Sequence, residues 1–117
     1  MINERRFFLA LGSCFGCSID GIWDFLEVEY KPLTFDEQKE AFLEIIKKAM
    51  ELGFLKLAHN DVFLSGTIEE QIAIFDKKFP KKHSELSDIT LSINSNYEFW
   101  PPGGGVWITF DNKEIWT

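Results

Sequence analysis

The sequence predicts an α+β fold, and three observations carry it. Two Thr-x-x-Glu signals, at Thr34/Glu37 and Thr67/Glu70, each open a stretch with apolar residues at helical spacing. Between them lies a period-two segment centred on Asn60-Asp61, and a second alternating segment closes the chain. The expected arrangement is N-terminal helices, a central helix-hairpin-helix, and a C-terminal β-hairpin forming a small antiparallel sheet packed on helices. At 117 residues the chain is expected to be a single domain, residues 1–117.

Each element follows from local pattern. Phe7, Leu11 and Phe15 recur every four residues, with Phe8 beside them, and predict an amphipathic helix over residues 3–13 capped by Asn3. A second helix is expected from Ser18, with Ile19, Ile22, Trp23 and Leu26 on one face, ending before Lys31-Pro32. The third starts at Thr34: Phe42, Ile45, Ile46, Ala49 and Leu52 form its apolar stripe, and Gly53 sits where a left-handed C-cap belongs. Glu37, Glu40, Glu44 and Glu51 fall on its wet side, with Glu44 spaced to pair with Lys47 and Lys48.

The stretch FLKLAHNDVFLSG then reads as two short strands around a turn at Asn60-Asp61. A fourth helix begins at Thr67, carries Ile68, Ile72, Phe75 and Phe79, and is closed by Pro80. Residues 90–93 are expected to form a short strand and 106–110 a stronger one. Asp111-Asn112-Lys113 turns the chain back along 114–116.

Composition limits what the domain does. Content that is 45% hydrophobic and 15% aromatic, with twelve Phe and four Trp, is enough for a core and argues against disorder. The formal charge is −7. Residues 20–46 hold eight acids, Asp20, Asp24, Glu27, Glu29, Asp36, Glu37, Glu40 and Glu44, against Lys31 and Lys39, so nearly the whole excess sits in this window. Nucleic acid is therefore not expected as a direct partner, because that affinity comes from Lys and Arg releasing counterions from phosphates. The bland account of such a run is a solvated face; the sharper one is a docking patch for a basic protein. The basic cluster Lys77, Lys78, Lys81 and Lys82 is short and reads as a helix end and loop.

Other candidate chemistry is weak. Cys14 and Cys17 have Cys-x-x-Cys spacing, but the upstream residues read as helix, and zinc would have to recruit His59 and His83 from turn-like segments. They are expected to be inert thiols filling gaps between helices. Neither a nucleophile held by a base nor a metal-ligand spacing is present, so no catalytic residue, metal or cofactor is expected. The N-terminal apolar run is too short for a signal peptide or a membrane span, and the protein is expected to be cytoplasmic, monomeric or weakly dimeric.

The stretch FWPPGGGVWITF raises the question of phosphate binding. A strand follows its glycines instead of a helix, and Pro101 and Pro102 remove two amide donors, so the glycines are expected to let the backbone turn tightly and pass close to Trp100 and Trp107. The same residues carry a resemblance. Trp100, Pro102, Gly104, Val106, Trp107, Asp111, Trp116 and Thr117 resemble the tail pattern of a family of small bacterial proteins of unknown function. ELGFLKLA at 51–58 and GTIEEQ at 66–71 also fit, while Pro101 and Gly103 depart from a Cys-Pro-Ala-Gly version of the pattern.

Some members of that and similar families are encoded beside polymorphic or contact-dependent toxins and are taken to be their immunity proteins. The resemblance implies an antitoxin that binds the C-terminal domain of a cognate toxin, such as a basic nuclease, and blocks it. Charge pattern then nominates Asp20, Asp24, Glu27 and Glu29 as contacts, with Trp23 or Tyr30 as an exposed aromatic anchor. The alternative is a winged-helix-like interaction or regulatory domain, because a Gly-capped helix followed by a hairpin matches the tail of that fold. Its recognition helix would set Glu37, Glu40 and Glu44 against phosphate, which leaves only a protein-binding version.

Overall fold

The structure, a computed structural model, describes residues 4–29, 34–59, 61–79 and 104–117. The described elements run α1 (Glu4–Cys14), α2 (Asp20–Glu29), α3 (Phe35–Glu51), β1 (Leu55–His59), β2 (Val62–Phe63), α4 (Ile68–Lys78), β3 (Gly104–Ile108) and β4 (Glu114–Trp116). The fold is α+β, with one antiparallel sheet in the order β2-β1-β3-β4 packed on the helices. The strand expected at 90–93 and Lys81, Lys82 and His83 lie outside the described residues.

Both capping boxes form. The Glu37 amide donates to Thr34 Oγ1 at 3.1 Å, and the Thr34 amide donates to Glu37 Oε1 at 3.0 Å. Thr67 and Glu70 repeat the arrangement at 3.1 and 3.2 Å. Each box satisfies two amides that a helix start would otherwise leave without partners. At its other end α3 closes through Gly53 at φ +83°, with the Gly53 amide on the Met50 carbonyl and the Phe54 amide on the Ala49 carbonyl. That is a Schellman closure, and it corrects one expectation: Leu52 belongs to the turn, 48% exposed, and not to the buried stripe.

The core joins Phe7 and Leu11 of α1, Ile22 and Leu26 of α2, and Phe42, Ile45, Ile46 and Ala49 of α3. Phe75 and Phe79 from α4 and its cap, Leu55 and Leu57 of β1, and Trp107 of β3 complete it. In register, Leu55 faces Trp107 and Leu57 faces Gly105, so these positions share the sheet's helix-facing side. Trp107 is locked onto the α1–α2 loop, where its Nε1–H donates to the Cys17 carbonyl at 2.7 Å and its ring lies 5.0 Å from that of Phe15.

Gly105 explains part of the glycine-rich stretch. A Cβ there would lie 2.7 Å from Ile19 Cγ2 and 3.3 Å from Leu55 Cδ1, so the bare backbone is what lets β3 approach the loop before α2. The close passage, expected against Trp100 and Trp107, is made at this position against Ile19 and Leu55; Trp100 and residues 101–103 lie outside the described residues. The strand itself ends at Ile108, earlier than expected. Phe110 stands in the turn at 94% exposure, and Asn112 takes a left-handed φ of 62°.

Candidate partner-binding surface

The spacing of positions 20, 24 and 27 places them along one side of α2. Asp24 and Glu29 are exposed and Glu27 is half-buried; of Asp20 only the backbone is described, and Tyr30 lies outside the described residues. Asp24 is close enough to α1 for its charge to act on Cys14.

Trp23 corrects the sequence reading. It is 3% exposed, with its ring 5.6 Å from Phe35, 5.7 Å from Phe42 and 5.5 Å from Phe79. Its own place in the stripe with Ile22 and Leu26 decides the matter, and a ring so enclosed is a core element that offers no anchor to a partner. Gln38 is a buried polar residue that the sequence reading passed over. Its Nε2 donates to the Trp23 carbonyl at 3.2 Å, tying α3 to α2.

α3 carries further exposed acids on its first turns, Asp36, Glu37 and Glu40. Glu37 is committed to its cap, and the Thr34 amide and hydroxyl hold its carboxyl below the usual range. Of the two lysines spaced to pair with Glu44, Lys48 sets its ammonium 4.9 Å from the Phe7 ring centroid, and Lys47 lines a groove between α3 and α4.

That groove has a volume of about 560 Å³. Leu43, Ile72 and Ala73 provide its apolar lining, and Asp36, Glu40, Glu69 and Asp76 its carboxylates. Lys39 crosses from α3 to meet Asp76 at 2.8 Å, with its ammonium 5.3 Å from the Phe79 ring centroid. Among the described residues Asp36, Glu40 and Glu69 form no ion pair.

The two cysteines differ. Cys14 is buried, and desolvation, helped by Cys17 and Asp24, pushes its thiol up to about 11. Cys17 is exposed, where a thiol filling a gap between helices was expected. Among the described residues no three His, Cys, Asp or Glu side chains gather as a metal site would require. On the sheet's outer face Phe63 lies opposite Ala58 and Trp116 opposite Val106, and the two rings meet at 5.2 Å. Among the described residues no helix is long and apolar enough to cross a membrane.

Fold and surface together define a small α+β domain with an acidic helical exterior, an open groove between two helices and an aromatic pair on its sheet. The chain belongs to the family described as protein of unknown function, DUF596, whose model matches residues 50–117. The matched part takes in the end of α3, α4 and the whole sheet; α2 and the exposed acids of α3's first turns precede it. Among solved structures the chain is similar to an uncharacterized protein conserved in bacteria from Neisseria meningitidis. The TM-score is 0.73 at 22% identity, over 97% of this chain and 88% of that one, a likeness of fold. No curated protein matches the chain in sequence.

Proposed function

We propose that the protein is an immunity protein: it binds the toxic domain of a cognate bacterial toxin through its acidic helical face and blocks it. The observation that carries the reading is the run of carboxylates on consecutive helices, Asp24, Glu27 and Glu29 on α2 and Asp36 and Glu40 on α3, in a chain of net charge −7. A toxin that acts on nucleic acid needs a basic cleft, and a clustered negative surface accelerates docking to such a cleft and covers it. Cytoplasmic action, where such a toxin would find its substrate, belongs to the same proposal.

The winged-helix alternative loses support from two features. Its hairpin would project as a wing, whereas β1 is flanked on both sides, by β2 and β3, with Leu55 and Leu57 buried. The exposed first turns of α3 carry Asp36, Glu37 and Glu40, which repel phosphate.

The test starts from the neighbouring gene: where it encodes a large secreted protein that ends in a variable toxin domain, that domain is co-expressed with this protein, and the purified pair is examined by pull-down. Growth rescue with sub-micromolar, salt-weakened binding is expected, and Asp24→Lys with Glu29→Lys should weaken binding by about tenfold or more. A toxin domain that is neither captured nor blocked would refute the reading.

A further inference from the structure

We propose that the groove between α3 and α4 receives a short cationic amphipathic helix of a protein partner, with Lys or Arg at the Asp36–Glu40 end and apolar side chains on Leu43, Ile72 and Ala73. The inference rests on the reading above for the sign of the partner's charge, and not for the partner's identity.

Charge sets the first condition. Among the described residues the groove has four carboxylates against two ammonium groups, and one of those, Lys39, is already committed to Asp76 and to the face of Phe79. Asp36, Glu40 and Glu69 remain without an ion pair among the described residues, so an incoming cation meets unneutralised charge. Polyanions are repelled by the same groups.

Shape sets the second. The walls are helices, whose backbone amides and carbonyls are already paired within each helix, so an extended peptide would find no ladder to join. A helix needs none, because it presents side chains alone, and its three- and four-residue spacing can lay one stripe on the apolar lining while an adjacent stripe reaches the carboxylates. From Asp36 to Lys47 the α3 wall spans about 16 Å at 1.5 Å per residue, room for three turns.

Polarity along the groove sets the third. Asp76 meets Lys39, and Phe79 packs on Phe35 and Phe42, so the C-terminal end of α4 lies beside the first half of α3. Asp36, Glu40 and Asp76 belong to that end against Lys39, while Glu69, on the first turn of α4, falls toward the end that Lys47 lines, where the two charges balance and a second cation gains little. The occupant is therefore cationic toward one end and apolar in its middle, which fixes its direction as well as its composition.

The experiment uses the full chain and a labelled, end-blocked helical peptide of about fourteen residues, with Leu at helical spacing and Lys and Arg gathered toward one terminus. A second peptide gathers them toward the other terminus, and a third replaces every cation with Glu. Fluorescence anisotropy measures binding, and NMR mapping of amide resonances locates it. One cationic peptide should bind at least about tenfold more tightly than the other and than the acidic control, and its affinity should fall with salt. The shifted amides should lie in residues 36–47 and 69–76. Asp36→Asn with Glu40→Lys should weaken binding at least about tenfold, Ala73→Trp should block it, and Glu4→Lys, exposed on α1 away from the groove, should leave it unchanged. Circular dichroism confirms that each variant is folded.

Shifts confined to α1 or the sheet, equal binding of the acidic peptide, indifference to the groove substitutions, or no binding by either cationic peptide would each overturn the proposal. Loss of the groove with toxin binding retained leaves the immunity reading standing. Groove binding without any toxin capture has the opposite meaning.

Discussion

Gly105→Ala is the sharpest test of how the sheet meets the helices. The position has no left-handed φ, so alanine suffers no backbone objection there, and only the space around the new methyl matters. That methyl would sit 2.7 Å from Ile19 Cγ2, about 1 Å inside ordinary carbon–carbon contact. Ile19 is 3% exposed and β-branched, so its Cγ2 moves only if the stiff χ1 rotates or the loop shifts. Overpacking of this kind costs about 1–3 kcal/mol, offset by the 0.5–1 kcal/mol that replacing glycine within a strand commonly contributes. The net expectation is a loss of up to about 2.5 kcal/mol, read as a lower urea midpoint at unchanged slope. Ile19→Ala alone should cost about 2–5 kcal/mol by leaving a cavity. Combined with Gly105→Ala it should cost less than the two added, by about 0.5 kcal/mol or more, because the new methyl enters the vacated space. A stabilising Gly105→Ala, or strictly additive costs in the double variant, would refute the close approach.

Thr34→Ala should remove the α3 capping box and cost about 0.5–2 kcal/mol in urea unfolding, with Thr67→Ala behaving similarly at α4. Trp23→Ala should cost about 3–5 kcal/mol and remove most of the near-ultraviolet circular dichroism from the Phe35–Phe42–Phe79 cluster, as befits a core ring. Iodoacetamide should modify Cys17 and spare Cys14 in the folded protein, with mass mapping as the readout. Because burial raises the Cys14 thiol from 9.0 to about 11, the folded state holds that proton more tightly than the unfolded chain. Its contribution to stability is complete below pH 9.0 and is lost as pH rises toward 11, and Cys14→Ala should flatten that part of the urea-midpoint profile.

The helices were legible because their signals are local. Thr34 and Thr67 cap where the Thr-x-x-Glu spacing placed them, and Gly53 closes α3 because a left-handed residue there is inexpensive only for glycine. The order of the strands was not legible: β1 pairs with β3 across more than forty intervening positions, and no local pattern encodes which of two hairpins supplies the neighbour. Leu52 misled because the apolar period continues one residue past the last helical turn. Gln38 was missed because glutamine at that spacing reads as surface, and only the nearby Trp23 carbonyl, brought by α2, makes its burial tolerable. The acidic exterior was visible as a count of charges. The groove was not, because Glu69 and Asp76 come from a helix about thirty positions after Asp36 and Glu40.

Stopped-flow association of the cognate toxin domain with this protein, over a salt series, measures the central claim most directly. If the acidic helical exterior is what finds the partner, the association rate should fall at least about tenfold between roughly 50 and 300 mM salt while dissociation changes little. An association rate that stays flat across that range, with binding intact, would contradict it.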